Sequence, residues 1–461
     1  MGKVSKKSKK QKATNRKKKI TQFEILRPNV AGIDVSDNGG MMVAYPISET
    51  EIVVEEFDCY TGDLRSLSKR LKEHKIESVA MESTGVYWIP LFLLLQEEGF
   101  EVYLVNSKHV KNVTGRKDDE EDAEWLQKLH RCGLLSASFQ PDEQTRTLRS
   151  TVRHRHSLIE TRSTYLNRMQ KALEQMNIKL HTVISDIDGK SGQAIITAII
   201  NGERDPEKLA NLCDPRIKAS REEIVKSLDC FWRKEHLFEL EQCYKLYKYH
   251  NEMIAECDNE MEQLLQEAVK KKHNGVMPEL GKLKTQLPQP KMRKKNAVSD
   301  NVSVYLEELN GVDITEVSGL SAMSILTIYS EIGTDMSCWK NAKHFTSWAG
   351  LAPNTKISSG KIISCHVPKK KQYVGQVFRM AAMSLRNNKG PLGDFYRRIC
   401  AKHGAAVAIV ASARKLAVIY YNMMTSKLKY NPQDLINFQN KYKEIKIKKL
   451  EKYLEKLKST A

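Results

Sequence analysis

Val30-Ala31-Gly32-Ile33-Asp34-Val35 is the stretch that decides the fold. Short, rich in branched residues and closed by the turn residues Asp37-Asn38-Gly39-Gly40, it reads as a buried β-strand with one carboxylate inside it. Working outward, Met41–Ile47, Glu51–Phe57, Ser78–Met81 and Val102–Val105 have the same short β-rich character. Leu64–His74 and Val86–Glu98, between the later strands, read as helices. Three closely spaced strands followed by alternating helix and strand predict a mixed α/β sheet.

Beyond residue 150 the pattern turns helical. Ile159, Leu166, Leu173 and Leu180 recur every seven residues, with Met169 and Met176 on the complementary seam, which predicts a coiled coil or a long helical hairpin. A second helical stretch covers His236 to Lys272, with Leu240, Tyr244, Tyr247, Ile254, Cys257 and Met261 along its apolar stripe. Pro278, Pro288 and Pro290 mark a linker, residues 303–428 read as mainly helical with Gly-containing turns, and a Lys/Glu/Leu helix covers 435–458. The expected organisation is therefore a disordered basic tail at 1–25, an α/β domain at 26–150 and a helical region at 151–275. A linker at 276–302, a C-terminal helical domain at 303–428 and a basic helix at 429–461 complete it. Fold class is thus α/β plus α.

Lys and Arg exceed Asp and Glu by 75 to 56 over 461 residues, a net charge of +19. Residues 1–19 hold ten Lys/Arg and no acid, and residues 441–458 hold eight Lys against three Glu. Basic ends on a nearly balanced body fit a polyanion through counterion release, with a solubilising tail as the alternative. No run of 18 apolar residues occurs, so no membrane partner is expected, and the basic start has no apolar stretch behind it to make a secretory signal. The nine cysteines form no CxxC and no zinc-ligand spacing with histidine, which suits a reducing compartment, the cytoplasm. His154-Arg155-His156 reads as a solvated or nucleic-acid-facing surface.

Four acids stand out by position. Asp34 interrupts an apolar strand, where an ionised group is costly unless paired or bound to metal. Glu82 ends another strand, in Met81-Glu82-Ser83-Thr84-Gly85. Asp119 and Asp122 begin a helical run at i, i+3 spacing, which puts them on one face. Asp119 and Asp122 are equally well read as first-turn acids favoured by the helix dipole, and Glu82 as a surface acid. Carboxylates gathered together repel unless a divalent cation neutralises them, and an all-oxygen set suits Mg²⁺. Two such ions serve in-line displacement at phosphodiesters.

These motifs, Gly32-Ile33-Asp34-Val35, Met81-Glu82-Ser83-Thr84-Gly85 and Gly115-Arg116-Lys117-x-Asp119-x-x-Asp122-Ala123-Glu124-Trp125-Leu126, resemble the RuvC-like DEDD domain of a bacterial insertion-sequence transposase family. Ser330 to Met336, Ser347-Trp348-Ala349-Gly350-Leu351-Ala352-Pro353-Asn354 and Lys356-Ile357-Ser358-Ser359-Gly360-Lys361 resemble its C-terminal transposase domain. The resemblance covers roughly residues 30–425. It implies a RuvC-like RNase H fold at the N-terminus, with Asp34, Glu82, Asp119 and Asp122 holding Mg²⁺ or Mn²⁺. It further implies a serine nucleophile, Ser358, at the place of the family's Ser-Gly-Gly-Lys. Here Ser359 replaces the first Gly, so Ser359 stays open as the fallback.

The same resemblance implies DNA partners, the element ends and a target, and a structured noncoding guide RNA. It also implies a composite site in which the serine meets the acidic cluster across subunits, and a nucleoid-associated location in a bacterium. The helical region is expected to make a homodimer, and strand exchange on two duplexes a tetramer. Read without the resemblance, Ser358-Ser359-Gly360 is equally an ordinary turn. Lys361, Lys369, Lys370, Lys371 and Arg379 are candidates for a phosphate path or a solvated basic face. Leu309-Asn310-Gly311-Val312 through Ile325 is similar to a helix–hairpin–helix turn, and Trp88 and Trp125 read as core. Two rivals follow: a metal-dependent junction-resolving nuclease working by hydrolysis, and a noncatalytic nucleic-acid-binding protein.

Overall fold

The structure, a computed structural model, describes residues 25–433 apart from 37–39, 49, 50, 107–118, 281–295 and 368–371, and a few positions after 433. The tail expected at 1–25 and the helix expected at 435–458 lie almost wholly outside the described residues. Two compact units divide the chain, 1–140 and 141–461.

The first unit is a five-stranded sheet in the order β3-β2-β1-β4-β5. Its strands are β1 (Val30–Val35), β2 (Met41–Pro46), β3 (Ile52–Phe57), β4 (Ser78–Glu82) and β5 (Glu101–Val105). β1, β2 and β3 pair antiparallel, and β4 and β5 join β1 in parallel. All five lie where the sequence pattern puts them. β4 is buried along its whole length, as a strand covered on both faces must be. Its order and mixed sense are compatible with the RuvC-like α/β expectation.

One sheet face carries Ala31, Ile33, Val35, Met41, Val43, Val79, Met81 and Leu104. Helices α1 (Thr61–Glu73) and α2 (Trp88–Glu97) cover it with Leu64, Leu67, Leu71, Leu91, Phe92 and Leu95. Helix α3 (Asp119–Arg131) covers the other face, where Ala80, Val105 and Leu126 cluster. Trp88 and Trp125 are partly buried against these two clusters, in the core roles expected of them.

The second unit is helical apart from one hairpin. Its frame is a pair of long helices, α4 (Glu143–Gln175) and α8 (Lys234–Lys272). Arg155 pairs with Asp258 and Arg162 with Asn251, so partners descend on one helix as they ascend on the other, and the pair runs antiparallel. Helix α4 begins before residue 150, so the boundary expected there falls inside a helix, and the compact unit ends earlier, at Gln140. Three shorter helices, α5 (Lys190–Ile200), α6 (Pro206–Ala210) and α7 (Arg221–Leu228), close over one end of the pair. Their core joins Met169, Leu173, Met176, Ile195, Ile199, Leu228 and Tyr244.

The seam between the long helices follows the expected spacing only in part: Met169, Leu173 and Met176 are buried as expected. Leu148, Arg155, Arg162 and Met169 are buried at seven-residue spacing, while Ile159 and Leu166 are only half-buried. Arg155 is 2% exposed, which corrects the surface reading of the His154-Arg155-His156 run, although both flanking histidines are exposed. Its Nε donates to Asp258 Oδ1 at 2.5 Å and its Nη2 to the Asn296 carbonyl at 3.2 Å. Polar partners at seam positions fix register, because a slip of one turn would strand the charges.

The remainder comprises α9 (Asp300–Asn310), α10 (Ala322–Ile332), α11 (Ala342–Trp348), α12 (Tyr373–Ser384), α13 (Pro391–His403) and α14 (Ala405–Ser426). Phe345, fully buried, is ringed by Trp339, Trp348, Phe378 and Tyr420 at centroid distances of 5.1–6.3 Å. α9 and α10 are joined through Gly311, whose φ of 70° caps α9, and Gly319, so two helices flank the segment read as similar to a helix–hairpin–helix turn. No described helix is long and apolar enough to cross a membrane.

Candidate active site

The sheet places the first two candidate acids side by side. β1 and β4 are registered at Gly32↔Ala80 and Ile33↔Met81, and Asp34 and Glu82 each follow the last pair by one residue. They therefore stand at one level on neighbouring strands, at the carboxyl ends of two parallel strands. Ligands bind at that end in open α/β sheets. Alternation along a strand then gives them a common face. Ala31, Ile33 and Met81 belong to the cluster under α1 and α2, so Asp34 and Glu82 belong to the face under α3. Glu82 is buried at 6% exposure and Asp34 is half-buried.

Helix α3 runs against β1 and β4. Near its end His130 Nε2 lies 2.8 Å from Ser78 Oγ, at the start of β4. In its middle a Cβ on Gly32 would meet the Ala123 carbonyl and the Gln127 nitrogen, both at 2.4 Å. Only glycine permits this approach. The helix start therefore lies toward the strand ends that bear Asp34 and Glu82. Asp122 sits one turn before buried Leu126, on the same helix face, and is half-buried. Asp119 is the first residue of the helix, and its side chain lies outside the described residues.

This donor set is all oxygen, the chemistry of a hard divalent cation. Among the described residues, no group of three His, Cys, Asp or Glu side chains is gathered tightly enough to hold a metal ion. By donor chemistry and by its place on the sheet the set is of the kind that holds a divalent metal.

The burial that shapes this face also acts on His130. It is 1% exposed and packs 4.6 Å from the Tyr103 ring. Burial pushes its imidazole down to about 4, nearby Arg27 adding to the shift and Glu101 opposing it.

The candidate serine stands on a different kind of element. β6 (Asn354–Ser358) and β7 (Lys361–His366) form an isolated antiparallel hairpin closed by Ser359-Gly360, with Ser358 paired to Lys361. Ser359 has φ 49° and Gly360 φ 76°, as the tight two-residue hairpin turn requires. The turn read at this position is therefore real, but the strands around it were missed. Ser-Gly between Ile357 and Ile362 is the signal that finds them. Every residue of β6 is exposed, including Ser358. Ser358 ends the strand, whereas Ser359 holds the left-handed backbone of the turn.

Of the basic candidates, Lys361 is exposed on β7. Arg379 is half-buried, and its Nη2 donates to the Gly350 carbonyl at 2.7 Å, a structural bond rather than an open phosphate contact. Lys369, Lys370 and Lys371 lie outside the described residues. Sequence reading also passed over Glu331, a buried carboxylate gripped by Arg153 through Nε–Oε1 at 2.8 Å and Nη2–Oε2 at 2.9 Å. Arg149 Nη2 donates to its carbonyl at 2.7 Å. Two arginines at i, i+4 on one helix, with a lone acid far along the chain, are not a legible pair in sequence.

A sheet with carboxylates at the ends of its parallel strands, in a chain that also carries basic ends, is compatible with an enzyme working on phosphodiesters. The comparisons with known families agree. Residues 31–178 match the DEDD transposase model of IS110, described as a transposase, and residues 313–397 match the transposase IS116/IS110/IS902 family. No curated protein matches the chain. The chain carries IS110-family transposase domains in both its halves. It is an insertion-sequence DNA transposase, and DNA is its partner.

Proposed function

We propose that this transposase cuts and rejoins DNA through a covalent serine–phosphodiester link, with Ser358 as nucleophile. The observation that carries the reading is the hairpin. Ser358 is exposed at the end of a strand, next to a turn whose geometry its neighbour supplies. Ser358 Oγ forms a bond to phosphorus and loses its proton. One bridging P–O bond breaks, and that oxygen leaves protonated. Attack by a strand hydroxyl on the linked phosphorus reverses these steps, so religation needs no nucleotide cofactor. A serine hydroxyl is a weak nucleophile until activated.

Asp34, Glu82, Asp119 and Asp122 are the residues that would hold a divalent cation. When bound, such an ion supplies positive charge to a phosphate that carboxylates alone would repel. Asp34 and Glu82 are rigidly carried by the sheet, which suits them to orienting ligands rather than moving.

The guide is a structured RNA in this reading, supported by the family resemblance and by the basic ends. The helical region makes the dimer, with a tetramer acting on two duplexes. Phe238, Leu246 and Tyr249 support this, since they lie along one side of α8 and stay exposed.

Strand cleavage on supercoiled element DNA tests the chemistry. Ser358→Ala is expected to lower it at least a hundredfold and to abolish the covalent protein–DNA species. Asp34→Asn is expected to lose cleavage to at least the same degree, beyond the ~10–100-fold typical of outer-shell groups around a metal. If Ser358→Ala and Ser359→Ala both cut at full rate while Asp34→Asn does not, hydrolysis replaces the serine reading. Protein that recombines DNA yet copurifies with no specific RNA refutes the guide, and a monomer by light scattering refutes the assembly.

A further inference from the structure

The second unit holds a half-open cavity of about 250 Å³ between α4, α10 and α12. That is at or below the lower end for small-molecule sites, too small for a drug-sized ligand and suited to a single flat ring. Met323, Val377 and Met380 make its apolar walls. The Tyr373 ring lies at its side, with the Arg153 guanidinium 4.6 Å from the ring centroid. His156 and Gln376 stand on the rim, both exposed. Methionine walls adapt to rings of different outline.

The electrostatics favour an anion at the mouth. Arg149 and Arg153 both contact the single carboxylate of Glu331, at 3.3 and 2.8 Å, so one positive charge remains uncompensated in the group. Glu331 also holds Arg153 in place, which pre-sets the guanidinium–tyrosine pair rather than leaving it to form on binding. An apolar slot beside an aromatic ring, with a residual cation and an amide at the entrance, matches a nucleobase and its phosphate.

We propose that this cavity receives one unpaired base of a DNA single strand, exposed while strands are exchanged. A base inside a duplex cannot enter such a slot, so the site would select strands already opened. Its helix α12 begins soon after the hairpin that bears Ser358, in the same unit. The base would sit against the Met323–Met380 walls beside Tyr373, with Gln376 reading its edge and Arg153 meeting the phosphate, while His156 faces Glu160 instead, Nε2 to Oε1 at 3.4 Å. This rests on the chain's being a DNA transposase, but not on Ser358 as nucleophile.

Photocrosslinking of the full-length protein to single-stranded DNA carrying 4-thiothymidine, mapped by mass spectrometry, tests it without any cleavage step. Crosslinks to Tyr373, Met323 or Met380 are expected. Met380→Trp fills the mouth from an exposed position and should cut their yield about tenfold, in the range of one lost base–aromatic stack. Gln376→Ala, also exposed, should weaken them less. Crosslinks to the lysine-rich ends should be unaffected by either change. Labelling confined to those ends, or cavity labelling that persists in Met380→Trp, overturns the proposal. So does cavity labelling by 4-thiouridine RNA alone, and so does a Met380→Trp protein that falls apart into smaller oligomers with its DNA crosslinks intact.

Discussion

Asp34 and Glu82 stand at the carboxyl ends of largely buried strands, whereas Ser358 ends a strand in which no residue is buried. The acidic face is held by the core of its unit. Gly32 lets α3 close on the sheet, and Ala80, Val105 and Leu126 lock it there. The hairpin is held by its own ladder and turn, and Ile357, Ile362 and Ile363 are 64–69% exposed. A lone two-stranded hairpin is marginal in water. The acidic face is thus held by the core of its unit, while the hairpin rests on its own ladder and turn. Changes near the acids should therefore register in global stability, and changes in the hairpin should not.

Gly32→Ala makes the sharpest break between the two. The new Cβ would meet backbone atoms of Ala123 and Gln127 at 2.4 Å, which only a shift of α3 relieves. A loss of about 1–3 kcal/mol or more is expected, read as a lower urea midpoint. Unchanged stability would mean that the helix is not seated on the sheet as described.

Acid should find the same region next. His130 holds its proton less tightly when folded, near 4, than at its ordinary 6.5. The unfolded chain therefore takes up the proton first as pH falls. Stability is complete above 6.5 and declines between 6.5 and 4, by an amount on the order of 1–2 kcal/mol between pH 7 and 5. His130→Gln should flatten that part of the urea–pH profile, and an unaltered slope would place the titration elsewhere.

The smallest effect belongs to the hairpin. Ser359 holds a φ of 49°, which favours glycine. Ser359→Gly should raise hydrogen-exchange protection of the hairpin amides by about 0.5–1 kcal/mol and leave the global urea midpoint unmoved. A shifted global midpoint would show that the hairpin folds with the body of its unit.

The strands of the sheet were legible because β1, β2 and β4 bury short apolar runs between turn residues, while β3, which buries none outright, still carries the branched run Ile52, Val53 and Val54. Asp34 was legible for the same reason, as a charge where the pattern permits none. The hairpin was not, since β6 and β7 bury nothing and so carry no hydrophobic period. The helical seam was legible at Met169, Leu173 and Met176 but not before them, because arginines, rather than the half-buried Ile159 and Leu166, take the buried places opposite Asp258 and Asn251.

Sequence alone determined the α/β start, the helical remainder and the residues that mark a transposase. Tertiary structure decided which of them meet. Register set Asp34 beside Glu82, and the absence of a side chain at Gly32 set how closely α3 could approach them. A salt bridge between Arg153 and Glu331, nearly two hundred residues apart, shaped a cavity that no local pattern announces. Local sequence encodes which surfaces must be buried, but partners across long chain separations are chosen only when those surfaces pack.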